Sequence, residues 1–91
     1  MAFDKDTVVA RAKKDLAERL SIDAGEIDES VSEQEFPDMS LGAPEPDEMA
    51  AQMISSGWLI ELAAGGRTYE YRADKYQLRL YNFDGRNYVV E

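Results

Sequence analysis

Apolar positions over residues 6–20 recur with a helical period. Val9, Ala12, Leu16 and Leu20 stand three, four and four residues apart and stack on one side, while Arg11, Lys14, Asp15 and Glu18 fall mainly elsewhere. Asp4 or Asp6 can cap the start by accepting from the first free backbone amides, and Arg19 suits the last turn. Residues 21–25 read as a turn, with Ile22 folding back onto the helix end. Residues 27–36 read as a strand of weak pattern, since Ile27, Val31 and Phe36 do not alternate cleanly. The pattern then stops. Residues 37–48 hold three prolines, one glycine and no period, which predicts a loop. Residues 49–54 fit either a short strand or a helical turn.

From Trp58 onward the pattern predicts an antiparallel meander. Gly65-Gly66 suits a two-residue hairpin turn, which needs positive φ at both positions. Leu62 then faces Tyr69 and Ile60 faces Tyr71. A turn centred on Asp74-Lys75 sets Tyr71 against Leu78 and Tyr69 against Leu80. A turn at Asp84-Gly85 sets Leu80 against Val89. These registers agree on one inward row of Ile60, Leu62, Tyr69, Tyr71, Leu78, Leu80 and Val89. Trp58 extends that row. The other face receives Glu61, Thr68, Glu70, Arg72, Arg79, Tyr81 and Tyr88, with Arg79 beside Glu70. The expected fold is one α+β domain over residues 1–91, its N-terminal helix packed on one face of a 4–5-stranded antiparallel meander.

Charge sharpens this picture. Residues 20–66 contain no Lys or Arg and carry eleven acids, more than the whole net charge of −9. That balance argues against nucleic acid, where phosphate contacts need clustered Lys and Arg, and against anionic membrane surfaces. No run approaches the roughly 18 apolar residues of a membrane span, and the start of the chain lacks the pattern of a secretory signal, so the expected location is cytoplasmic. The chain has no Cys, hence no disulfide or thiolate site, and no His, the commonest general base and metal ligand.

The strings PDMSLGAPEP, Gln52-Met53-Ile54, SSGW and AGGRTYEYRAD resemble a family of small, functionally uncharacterised prokaryotic proteins, and DLAERLSIDAGEID resembles its helix-and-turn entry. The resemblance covers about residues 12–74. The family pattern has Cys where this chain has Ala43 and His where it has Arg72. Any chemistry resting on that pair in relatives is absent here. The matching positions Pro37, Asp38, Ser40, Leu41, Gly42, Pro44, Pro46 and Gln52 point to an encoded loop conformation.

Three sets of residues are candidates for function. Asp38, Glu45, Asp47 and Glu48 form an acidic loop set that can supply oxygens to a hard cation, although no twelve-residue calcium loop is present; otherwise they are a solvated acidic surface. Asp38 beside Ser40 places a carboxylate near a hydroxyl, but Ser needs an activating base, and Asp and Ser favour local turn bonds to backbone amides. Tyr81 and Tyr88, paired on the outer face, make either an interaction patch or a stabilising cross-strand pair. Met39, Met49 and Met53 flank the loop as adaptable apolar contacts or gap fillers.

Together these features predict a non-catalytic binding or accessory module without cofactor. It presents loop residues 37–49, with Asp38, Ser40, Glu45, Asp47 and Glu48, to a protein with a basic surface, and Tyr81 and Tyr88 form a second contact. The chain is expected to be a monomer or a weak homodimer through a sheet edge. The alternatives are a cation-binding protein or carboxylate-dependent enzyme using the same loop, and a purely structural or solubilising domain.

Overall fold

The computed structural model describes residues 3–91. The first helix, α1 (Lys5–Leu20), starts where Asp4 accepts from the Thr7 amide at 2.8 Å while the Thr7 hydroxyl accepts from the Asp4 amide at 3.0 Å. This reciprocal cap satisfies two amides that the helix itself leaves without partners. Ser21, in the left-handed region at φ 57°, ends the helix, and Ile22 returns its amide to the Ala17 carbonyl at 3.0 Å. A short 3₁₀ turn, Ala24–Glu26, leads into the sheet.

Five strands follow in a simple meander: β1 (Asp28–Phe36), β2 (Ser55–Ala64), β3 (Arg67–Ala73), β4 (Leu78–Phe83) and β5 (Arg86–Val89), all antiparallel and in spatial order β1-β2-β3-β4-β5. The α+β fold is therefore as expected. The strand expected over residues 27–36 forms from Asp28 to Phe36, with Ile27 closing the 3₁₀ turn, and residues 49–54 form neither strand nor helix, so the connection between β1 and β2 runs over residues 37–54.

Helix α1 buries Val8, Val9, Ala12 and Leu16 against Ile60, Leu62, Tyr71, Leu78 and Leu80. Each buried Val, Leu or Ile among them contributes about 1.5–3 kcal/mol on leaving water. Tyr71 adds a polar tie: its hydroxyl donates to Asp15 at 2.7 Å, and Arg19 donates to the same carboxylate oxygen. Burial, reinforced by the Asp15 bond, pushes the Tyr71 phenol well above its usual range. Trp58 is half-buried and packs on the edge of this core, in line with the inward row.

The β2–β3 hairpin keeps the expected register, Ile60 against Tyr71 and Leu62 against Tyr69, around Gly65 (φ 59°) and Gly66 (φ 79°). The β3–β4 connection differs. Asp74-Lys75 lacks a residue that tolerates two successive positive φ angles, and the chain forms a wider loop held by the buried Asp74 carboxylate. Asp74 accepts from the amides of Tyr76 and Gln77 at 2.8 and 3.0 Å and from the Ser55 hydroxyl at 2.9 Å. Tyr71 consequently meets Leu80 instead of Leu78. A slide of two residues preserves side-chain parity, so the inward row survives. It also sets Arg79 opposite Arg72, not beside Glu70.

The last hairpin carries a larger correction. Asp84-Gly85 makes the expected turn, pairing Phe83 with Arg86. Between that pair and Leu80 the strand bulges: Tyr81 and Asn82 together oppose Asn87. Asn82 takes φ 51°, and its amide donates to the Asn87 side chain at 2.8 Å. One extra residue reverses parity beyond it. Leu80 therefore pairs with Tyr88, and Val89, expected inside, is exposed opposite Arg79.

Candidate functional site

The long connection is not a free loop. It lies across part of the face of the sheet opposite α1 and buries Phe36, Leu41 and Ala43 there, apart from the helix-side core, while Ser30, Ser32, Glu61, Ala63 and Thr68 on the same face stay exposed. Its backbone carbonyls are held by side chains from the sheet and from the β3–β4 loop. Gln77 donates to the Met39 carbonyl at 2.7 Å, Arg72 to Leu41 at 3.0 Å, Arg79 to Ala43 at 3.2 Å and Asn87 to Pro44 at 2.8 Å. These bonds replace the backbone pairing that a segment without secondary structure lacks.

Asp38 organises the first bend. One of its carboxylate oxygens accepts from the Ser40 hydroxyl at 2.6 Å, the Ser40 amide at 2.9 Å and the Gly42 amide at 3.1 Å. The turn reading of Asp38 and Ser40 is thus the one observed. The Ser40 hydroxyl bond, with help from the amides, holds the Asp38 carboxyl below its usual range. Leu41 (φ 59°) and Gly42 (φ 67°) make a tight turn closed by the Ala43 amide on the Ser40 carbonyl at 3.0 Å. A non-glycine residue there costs roughly 1–2 kcal/mol, which burial of the Leu41 side chain offsets. A Cβ on Gly42 would sit 2.7 Å from the Arg72 guanidinium, so the glycine answers both to φ and to this contact.

The acidic set is largely committed inward. Glu48 forms a bidentate pair with the buried Arg79, at 2.6 and 2.7 Å, and also accepts from the Glu45 amide at 2.9 Å. The Arg79 bonds lead in lowering its carboxyl to about 2. Glu45 accepts from the Val89 amide at 3.2 Å. Asp47 alone is exposed without such a bond, at φ 65°. Among the described residues no group of three carboxylates converges as a metal cage would require. Ser40 is almost fully buried with its hydroxyl engaged by Asp38, a poor placement for a nucleophile.

The outer pair of tyrosines does not form, because the bulge at Asn82 sends the two rings to opposite faces. Tyr81 lies under Arg72, whose guanidinium is 4.0 Å from the ring centre. Tyr88 turns to the helix side, against Phe83 and under Arg19 at 4.7 Å. Both are half-buried.

The side chains that do reach solvent lie elsewhere. Met49 is 96% exposed, Met53 63%, Ile54 71% and Tyr76 72%. Met53 and Ile54 adjoin Ser55, which Asp74 bonds, and the same Asp74 holds Tyr76, so these apolar groups share the end of the sheet where β1 finishes and β2 begins. The sequence placed the main contact among the loop acids and offered Met49 and Met53 only as flanking apolar contacts or gap fillers; it did not single out Ile54, Tyr76 or the clamp of Arg72, Gln77, Arg79 and Asn87. Two apolar loop residues, Leu41 and Ala43, beside two arginines on one sheet face were the available signal.

A helix on one face of a five-stranded meander, with a clamped connection on the other, defines a small, acidic, two-sided α+β domain. The chain belongs to a family described as a domain of unknown function (DUF8738), which matches residues 9–81. No curated protein and no solved structure matches it. No helix among the described residues is long and apolar enough to cross a membrane.

Proposed function

We propose that this domain is a non-catalytic protein-binding module whose contact surface is residues 49–54 together with Tyr76. One observation carries the reading: three large apolar side chains within these six residues stand in solvent although the segment is tethered, the Met39 amide donating to the Ala51 carbonyl at 2.9 Å. Tethering reduces the ordering cost of binding, and Met adapts to varied partner surfaces. The neighbouring Asp47 and the overall charge of −9 favour a partner with an apolar centre and a basic rim. The loop acids Asp38, Glu45 and Glu48 serve this surface by holding its base in shape and do not contact the partner themselves.

The test compares wild type with the triple variant M49S/M53S/I54S. A photo-crosslinking amino acid at position 53 should capture one protein from native extract, and purified partner should bind wild type at least about tenfold more tightly than the triple variant, whose melting temperature stays close to wild type because these side chains are mostly exposed. Equal affinity of the two proteins for the captured partner would refute this surface.

A further inference from the structure

β1 is an edge strand. It pairs with β2 through nine consecutive residues, from Asp28 against Ala63 to Phe36 against Ser55, without a bulge, and no other strand lies on its far side. No further backbone bond from Asp28–Phe36 is made to any other described residue. Protein edges are ordinarily protected by shortness, bulges, proline or charge. The opposite edge, β5, is four residues long and adjoins the bulge. β1 is long and regular and has no proline, so charge is its only protection: Asp28, Glu29, Glu33 and Glu35, with no Lys or Arg. Lys13 neutralises Glu29, whereas Glu33 and Glu35 have no ion pair among the described residues.

Charge protects selectively. A second copy of β1 laid antiparallel in full register would set Glu29 against Glu35 at both ends and bring the two Glu33 side chains diagonally together, and acidic strands are repelled likewise. A basic strand is attracted. Behind the edge lies a groove of about 560 Å³ whose lining includes Glu33, Gln34, Glu35, Gly57, Trp58 and Lys75. Trp58 stands directly across from Glu33 in the β1–β2 register, on the helix side. A cationic side chain passing over Glu33 therefore has an indole within reach, where cation–π attraction adds to the ion pair. Lys75 on the groove wall sets a limit, disfavouring a cation deep beside it.

We propose that the free edge of β1 takes up an extended peptide with Lys or Arg at alternate positions and adds it as a sixth strand, its cationic side chains over Glu33 and Glu35. Backbone pairing supplies affinity and the alternating side chains supply selectivity, as in other strand-addition complexes. This surface adjoins residues 49–54 at its Glu35–Ser56 end but uses the β1 backbone and its acids and none of those apolar side chains, so the inference does not rest on the function proposed above.

The probe is a blocked nonapeptide of alternating Lys and Val, with its Glu–Val counterpart and a Lys–Val version N-methylated at alternate amides along one edge. Trp58, the only tryptophan, reports binding by fluorescence, and amide exchange reports on β1. The Lys–Val peptide should change Trp58 emission, slow alternate β1 amides and bind more weakly as salt rises. E33K/E35K should bind it at least about tenfold less tightly and should gain affinity for the Glu–Val peptide. M49S/M53S/I54S should bind as wild type does. Equal binding of the N-methylated peptide would show mere charge attraction and overturn strand addition. Unprotected β1 amides, or an E33K/E35K variant with unchanged affinity, would do the same. If sedimentation finds the unliganded protein dimeric with β1 amides already protected, the occupant is a second copy and the proposal fails.

Discussion

At the scale of single residues, this domain spends its polar groups on its own backbone. Arg79 holds the Ala43 carbonyl and both oxygens of Glu48, and Arg72 holds the Leu41 carbonyl while donating to Glu70 at 2.7 Å. The two arginines face each other across β3 and β4, an unfavourable opposition that the adjacent Glu70 and Glu48 offset. Glu48 titrates at about 2 in the fold, against an ordinary 4.5, so its contribution to stability is complete above pH 4.5 and is lost as the pH falls toward 2. Asp38 is shifted in the same direction and acts with the same sign. E48Q should therefore be less stable than wild type at neutral pH, and the gap should narrow through this acid window. Urea midpoints measured from pH 7 to pH 2 check this; a constant gap would show that the ionised pair contributes nothing.

At the scale of elements, one bulge decides which aromatic rings face the helix. Without the extra residue at Asn82, Val89 would oppose Leu80 on the core side and Tyr88 would face outward. With it, Tyr88 packs against Phe83 and receives Arg19. Asn is among the few residues that accept left-handed backbone readily. N82V should cost about 1–2 kcal/mol, while N82G should leave stability close to wild type. Thermal melts of the two variants check the claim, and equal losses would point to the Asn82 side chain instead. A second local device is Gly57 in β2, where a Cβ would lie 2.0 Å from the Ala73 carbonyl oxygen, so the end of β3 packs there only against glycine.

At the scale of the whole molecule, α1 covers one face of the sheet and the 37–54 connection covers part of the other, leaving Ser30, Ser32, Glu61, Ala63 and Thr68 exposed. The acids divide accordingly. Asp38, Glu45 and Glu48 are bonded inward, whereas Glu33, Glu35 and Asp47 stand in solvent. A net charge of −9 on 91 residues makes the compact state self-repelling, and salt screens exposed charges more than partly buried ones. Raising KCl from roughly 0.05 M to 1 M should increase stability by about 1 kcal/mol, or roughly 4–8 °C in Tm. A falling Tm would mean that the ion pairs outweigh the repulsion. This charge distribution also separates the two surfaces proposed for binding: an apolar one at residues 49–54 and an acidic edge at β1.

The sequence by itself determined the features that depend on local chemistry. The spacing of Val9, Ala12 and Leu16 set the buried face of α1, Asp4 capped it, Gly65-Gly66 and Asp84-Gly85 made their turns, and Asp38 folded its own bend. Each of these follows from a period or from a side chain bonding a near neighbour. The tertiary structure decided what depends on distant partners. The β3–β4 loop widened because Asp74 bonds Ser55 from another strand, and the bulge at Asn82 moved Tyr88 to the core. Glu48, which looked free, proved to be bound by Arg79, and Arg72 and Asn87 hold the Leu41 and Pro44 carbonyls of the same loop, from 31 to 43 residues further along the chain. No window of sequence contains both ends of such a contact. The exposed Met49, Met53, Ile54 and the free edge of β1 became visible only once those contacts had been made.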